Sequence, residues 1–189
     1  EFHVAKKVKD ATAYVCGLGF YEFSLNGEKV GDSEFAPLWS DYDKSVYYNT
    51  YDVTSQVKKG GNAIGVLLGN GFYNVQGGRY RKLQISFGAP TLRFRMVVNY
   101  EDGTSETIVS GKDWKYDFSP VLFNCIYGGE DYDARREQKG WNMFGFKEQD
   151  WHPVVIQEAP KGVLRPQIAQ PVKIMERYDI RKVTKLTAE

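Results

Sequence analysis

The densest run of ionisable side chains is Glu130-Asp131-Tyr132-Asp133-Ala134-Arg135-Arg136-Glu137. Paired carboxylates beside an arginine have the chemistry of a glycosidase, where an acid and a base stand roughly 5–10 Å apart across the scissile bond. The simpler use is structural: Asp133 and Arg135 can form a bidentate ion pair that fixes a loop. The sequence favours that use, with ligand or neighbour-domain contact by Glu130, Asp133 and Arg135 second and catalysis by this chain alone last. Gly69-Asn70-Gly71-Phe72-Tyr73 carries a different chemistry. A sugar site needs an aromatic face for the C–H side of the ring and planar polar groups for the hydroxyls. Here the glycines allow a tight exit from a strand, Asn70 offers donor and acceptor, and Phe72 or Tyr73 offers a face. The competing use is a strand-end turn whose aromatics cap the core.

Asp41 and Asp43 place two carboxylates at i and i+2, a spacing that lets loop side chains converge on a hard cation. Calcium takes six to eight oxygens, and vicinal sugar hydroxyls can supply two of them. Lys44 is adjacent, however, and a full Asp-x-Asp-x-Asp-Gly loop is absent, so ordinary surface solvation explains the pair more simply. Tyr48 and Asn49, at the start of the next strand, can present an amide to the same loops, or else occupy plain ladder positions. His3 and His152 are the only histidines and Cys16 and Cys125 the only cysteines, without metal-ligand or nucleophile spacing. The thiols read as small buried hydrophobes, with a disulfide as the alternative.

The elements that must position these groups are strands. Ala13, Val15 and Gly17 interleave with Tyr14, Cys16 and Leu18, and Tyr21, Phe23 and Leu25 alternate with Glu22 and Ser24, the period of two expected of a sheet with one buried face. Asn26-Gly27 supplies the two positive-φ positions of a type I′ hairpin turn. Leu92, Phe94, Met96 and Val98 alternate toward a second turn at Asp102-Gly103, from which Thr104 to Val109 returns. Val46 to Val53 reads as an aromatic strand, Asp52 to Lys58 as a short helical turn capped by Asp52 or Thr54, and Ala63 to Leu68 as an apolar strand buried on both sides. No segment carries a long 3.6-residue period. The pattern predicts an all-β, antiparallel β-sandwich of jelly-roll type, with Leu25, Val66, Leu67 and Phe94 in its interior and Trp114, Trp141 and Trp151 as core plugs. After Trp151, prolines at 153, 160, 166 and 171 break the chain into extended pieces that suit a sheet edge or a link to a neighbour, and the alternation from Tyr178 to Glu189 reads as a further strand.

With 189 residues and 25 Lys plus Arg against 24 Asp plus Glu, the chain has a formal charge of +1 and no stripe of positive charge for a phosphate backbone. Nucleic acid is excluded as the natural partner. Its longest apolar runs fall far short of the roughly 18–20 residues that a membrane-spanning helix needs, so no membrane role is read. The length is also too small for a barrel enzyme of roughly 250 residues. Any export signal has been removed or lies upstream of Glu1, and a periplasmic or extracellular setting is favoured over a cytoplasmic one.

Several motifs in fixed order resemble one family. Ala11 to Asp32, Ala36 to Lys44, Tyr48-Asn49-Thr50-Tyr51-Asp52, Leu67-Leu68-Gly69-Asn70-Gly71-Phe72-Tyr73, Ile126 to Arg135, Gly140-Trp141, Asp150-Trp151 and Glu158 to Gly162 resemble the N-terminal accessory domain of bacterial α-L-rhamnosidases. The resemblance implies a jelly roll of galactose-binding-like type over residues 1–172, with 173–189 the start of a following domain or a linker strand. It implies that hydrolysis of α-L-rhamnosides belongs to a separate catalytic domain of the same polypeptide, and that the accessory domain recognises L-rhamnose or a rhamnose-containing glycan, in some members with calcium. Two positions depart from the family pattern: Phe72 stands where Trp is common, and Gly128 where Asp is common. Two functions stay open at this point, a carbohydrate-binding module and an interdomain scaffold with no ligand of its own. The candidate sugar residues are Tyr48, Asn49, Asn70, Phe72, Tyr73, Tyr127, Glu130, Asp133 and Arg135, and the candidate calcium ligands Asp41 and Asp43.

Overall fold

The computed structural model describes residues 1–79 and 81–184. Short strands and one 3-10 turn carry the chain, and no α-helix occurs among the described residues. A short β1 (Phe2–Val4) leads to the long β2 (Val8–Leu18), which continues into β3 (Phe20–Leu25) after a break at Gly19. The break requires glycine: φ is +107° there, and a Cβ would sit 2.2 Å from the Gly69 carbonyl oxygen. β4 (Glu28–Lys29) returns from the Asn26-Gly27 turn, whose φ values of 53° and 86° are those that the type I′ reading demands. Then follow β5 (Ser33–Glu34), β6 (Ser45–Asp52), β7 (Gly60–Asn62), β8 (Ile64–Gly69), β9 (Asn74–Val75) and β10 (Ile85–Ser86). The hairpin of β11 (Thr91–Tyr100) and β12 (Ser105–Val109) is followed by β13 (Lys115–Tyr116), β14 (Val121–Cys125) and β15 (Gly129–Tyr132). A 3-10 turn at Ala134–Arg136 precedes β16 (His152–Pro153), β17 (Val163–Pro166) and β18 (Val172–Lys173).

Two sheets stack. The larger has the order β12-β11-β2-β6-β17 and the smaller β4-β3-β8, all pairs antiparallel except β17 with β6. Between them Ala11, Ala13 and Val15 of β2 and Phe94, Met96 and Val98 of β11 meet Tyr21, Phe23 and Leu25 of β3. The Phe23 and Phe94 rings touch edge to face at 5.3 Å, and Trp114 closes the cluster against Phe94 at 5.6 Å. The other face of β2 is covered too: Cys16 and Leu18 pack with Tyr42, Val46 and Tyr73 in a second, smaller cluster. Both cysteines are buried free thiols.

The helical reading of Asp52 to Lys58 reduces to one hydrogen-bonded turn, Val57 N to Val53 O, with the Asp52 carboxylate accepting from Thr54 N. β8 differs from expectation. Leu67 is 38% exposed and Val66 only half-buried, because β8 ends its sheet and Leu67 lies opposite Glu22 on the outer face. An apolar run fixes neither the number of covering layers nor the strand's place in the sheet. Late in the chain, part of the proline-rich segment joins a sheet edge, the first of its two readings, β17 laying Val163–Pro166 beside Ser45–Tyr48. Residues 178–184 form no strand, and 185–189 lie outside the described residues.

Candidate functional site

One end of the sandwich gathers aromatic rings from several loops. Trp39, in the connection from β5 to β6, stacks on Phe72, just past β8, at 4.7 Å and 14°. Phe72 in turn meets Phe20 at 6.3 Å and Tyr127, from the β14–β15 turn, at 6.0 Å, both edge-on. Phe35 leans on Phe20 at 5.4 Å. Phe35, Trp39 and Tyr127 are 58%, 56% and 50% exposed, so the cluster presents ring surface to water. Phe35 has a positive φ of 52°, sparsely populated for a residue with a bulky side chain. The sequence singled out Phe72 and Tyr127 here but passed over Phe35 and Trp39, whose neighbours Asp41 and Asp43 drew the chemical reading.

Asn70 is a cross-link. Its backbone N donates to Asn124 Oδ1 at 2.7 Å, its Nδ2 to Asn124 O at 2.9 Å, and its Oδ1 accepts from Asn74 Nδ2 at 2.8 Å. These bonds tie the Phe72 loop to β14 and so bring Tyr127 alongside. Tyr73 turns inward: it is buried, its ring packs on Tyr42 at 4.9 Å, and its hydroxyl donates to Phe87 O. Tyr48 is half-buried against Tyr14 and the smaller cluster. Asn49 Oδ1 accepts from the Tyr21 hydroxyl at 2.9 Å, which also meets the Tyr51 hydroxyl at 2.9 Å. Burial pushes the Tyr21 phenol far above its ordinary pKa, so it is a proton-bearing structural donor. The structure thus brings Phe72 and Tyr127 together with Asn70 behind them, and gives Tyr48, Asn49 and Tyr73 packing or hydrogen-bonding partners elsewhere.

The acidic stretch is wired locally. Arg135 Nε and Nη2 donate to the two oxygens of Asp133 at 2.7 and 2.8 Å, and Asp133 also caps the 3-10 turn. This is the bidentate loop clamp that the sequence favours. Asp131 pairs with Arg79, whose guanidinium lies over the Phe123 ring. Hydrogen bonds from Arg79 and Arg135 hold the Asp131 and Asp133 carboxyls below the usual carboxylate range. Glu130 is exposed on β15 opposite Asn124.

Asp41 is paired with Lys44 Nζ at 2.8 Å and accepts from Asp43 N at 3.3 Å. Among the described residues no group of three or more His, Cys, Asp or Glu side chains converges as a metal site. Asp41 and Asp43 supply two carboxylates, one of them paired with Lys44, toward the six to eight oxygens that calcium takes.

The sequence profile described as "Alpha-L-rhamnosidase N-terminal domain" matches residues 6–176. The chain belongs to the alpha-L-rhamnosidase N-terminal domain family. An alpha-L-rhamnosidase of Formosa agariphila is 39% identical over 98% of this chain and 20% of its own length, and one of Streptomyces avermitilis 41% identical over 95% and 17%. The solved alpha-L-rhamnosidase from Dictyoglumus thermophilum superposes with a TM-score of 0.84 at 42% identity, covering 93% of this chain and 19% of that one. The Streptomyces avermitilis alpha-L-rhamnosidase complexed with L-rhamnose gives 0.84 at 38% identity, covering 93% and 17%. The chain spans about a fifth of the length of these relatives.

Proposed function

We propose that this chain is a non-catalytic accessory domain of an α-L-rhamnosidase and that its aromatic end recognises terminal L-rhamnose. The observation that carries the reading is the stacked Trp39–Phe72 pair, with half of Trp39 open to water and Tyr127 standing edge-on beside it. A deoxy sugar has a methyl group and C–H faces that an exposed indole can cover while the hydroxyls keep water, and rings already stacked lose little entropy when the sugar arrives. Catalysis belongs elsewhere in the polypeptide. An inverting glycosidase needs one carboxyl held protonated, whereas Asp131 and Asp133 are biased toward the ionised form by their arginines.

A single ring on an open platform binds weakly, with a dissociation constant on the order of 0.1–1 mM, or about −4 to −5.5 kcal/mol. Calorimetric titration with L-rhamnose, with and without calcium, should show binding in this range, and Trp39→Ala should weaken it about tenfold or more by removing the stacking face. No heat at millimolar rhamnose would replace this reading with the interdomain scaffold, to which the bonds that Asn70, Asp133 and Arg135 make within the domain are equally suited. The chain alone should not hydrolyse aryl α-L-rhamnosides; turnover abolished by Glu130→Gln would overturn the accessory role.

A further inference from the structure

β8 ends the three-stranded sheet, hydrogen-bonded to β3 alone, and the register shows which of its groups face outward. Tyr21 N donates to Ala36 O and Val30 N to Phe23 O. The odd residues of β3 therefore turn their backbones away from β8, and Phe20, Glu22 and Ser24 exchange bonds with Gly69, Leu67 and Gly65. The amides and carbonyls of Ile64, Val66 and Leu68 point along the free edge, where they have no partner among the described residues.

Native sheets blunt such an edge with charge, proline or a bulge. Ile64-Gly65-Val66-Leu67-Leu68-Gly69 has none of these. Beside it opens a groove of about 1300 Å³ whose lining includes the apolar Leu67, Phe118, Val155 and Ile156 among polar and charged side chains such as Arg93, Asp117 and Glu158. The four apolar side chains are 38%, 71%, 71% and 61% exposed. Exposed apolar side chains beside unpaired peptide groups suit a peptide strand, which pairs its backbone and buries alternate apolar side chains.

We propose that this edge receives an extended strand from the rest of the rhamnosidase polypeptide. The relatives are about five times as long as this chain, and a covalently linked segment acts at an effective concentration that can reach millimolar, ample for a short strand. The fold already uses this mode on its larger sheet, where β17 adds to β6. The inference does not depend on rhamnose binding, and Trp39→Ala leaves it untouched.

Backbone hydrogen exchange at Ile64, Val66 and Leu68 tests it, measured in this chain alone and in the intact polypeptide. The amides should exchange at least about thirtyfold more slowly in the intact protein. Leu67→Lys, at an outer-face position, should remove that protection while leaving the melting temperature of the isolated chain unchanged, and Ile156→Lys, elsewhere in the groove lining, should act likewise. Equal exchange in the two proteins would overturn the proposal. So would protection that appears in the isolated chain together with a concentration-dependent dimer, which would assign the edge to a second copy. Protection already present in the dilute isolated chain would assign it to one of the chain's own segments.

Discussion

The inner sandwich and the last third of the chain are built on different principles. β2, β3 and β11 supply side chains sealed from water, among them Phe23, Phe94, Leu25 and Met96, whereas no described residue after Cys125 is buried. The late segments are held by polar contacts and half-buried rings: Trp151 Nε1 donates to Gln138 Oε1, Gln138 Nε2 to Asp117 and Asn142 Nδ2 to Ser24, and the Trp151 ring lies against Trp141 and Phe146. Stability therefore resides in the early strands. The late segments leave apolar side chains such as Val155 and Ile156 open to solvent, the usual division between a rigid scaffold and the loops it carries.

The largest effect should come from deleting a ring at the centre of the early half. Phe94→Ala removes a fully buried side chain that touches both Phe23 and Trp114 and should cost about 3–5 kcal/mol in urea denaturation. Ile156→Ala, at a position 61% exposed, should change stability by less than about 0.5 kcal/mol. Similar losses at the two positions would erase the distinction.

Alkali should also find the early half first. Burial pushes the Cys16 thiol from its ordinary 9.0 to about 11. The folded state then holds a proton that the unfolded state releases, so this contribution is complete below the unfolded pKa and is lost as pH rises through the folded one. Stability should fall between about pH 9 and 11, with a limiting slope of about 1.4 kcal/mol per pH unit from this one group. Tyr42, raised by burial to about 12, and Tyr100, raised to about 12, extend the decline. Cys16→Ala should flatten the pH 9–11 portion, and an unchanged slope would mean that the thiol titrates in contact with water.

The third effect lies where the two halves meet, at Asn70. As a loop ligand it would be replaceable without loss of stability. As the cross-link to Asn124 and Asn74 it should cost about 1–3 kcal/mol on Asn70→Ala, since half-buried Asn124 and buried Asn74 lose their bonds. That contrast marks what the sequence can show. The Asn26-Gly27 and Asp102-Gly103 hairpins and the Asp133–Arg135 clamp are legible because their partners lie only a few residues apart. Asn70 meets Asn124 across 54 positions, the Trp39–Phe72–Tyr127 cluster joins three separate loops, and the exposure of Leu67 depends on which strand ends the sheet. Alternation reveals a buried face, but only the assembled sheet order reveals an open edge.

The smallest effect should come from Asp41, on the rim of the aromatic end. Its carboxylate and the Lys44 ammonium are 2.8 Å apart but their side chains are 54% and 82% exposed. Water screens such a pair, and holding two mobile side chains together offsets much of what remains, so Asp41→Ala should shift stability by less than about 0.5 kcal/mol. The backbone bonds from Lys44 N and Ser45 N to Asp41 O survive the substitution and keep the turn in place. Calcium sharpens the test. An ion held by Asp41 and Asp43 in the folded state would raise stability by about 2.7 kcal/mol at a hundred times its dissociation constant, and Asp41→Ala would abolish the increment. With one carboxylate already committed to lysine and no third acidic ligand converging, thermal unfolding should give the same midpoint in millimolar calcium and in excess chelator. A calcium-dependent rise that disappears in Asp41→Ala would show that the ion can displace Lys44 and complete its shell from loop carbonyls and water, making the rim of the platform a metal site.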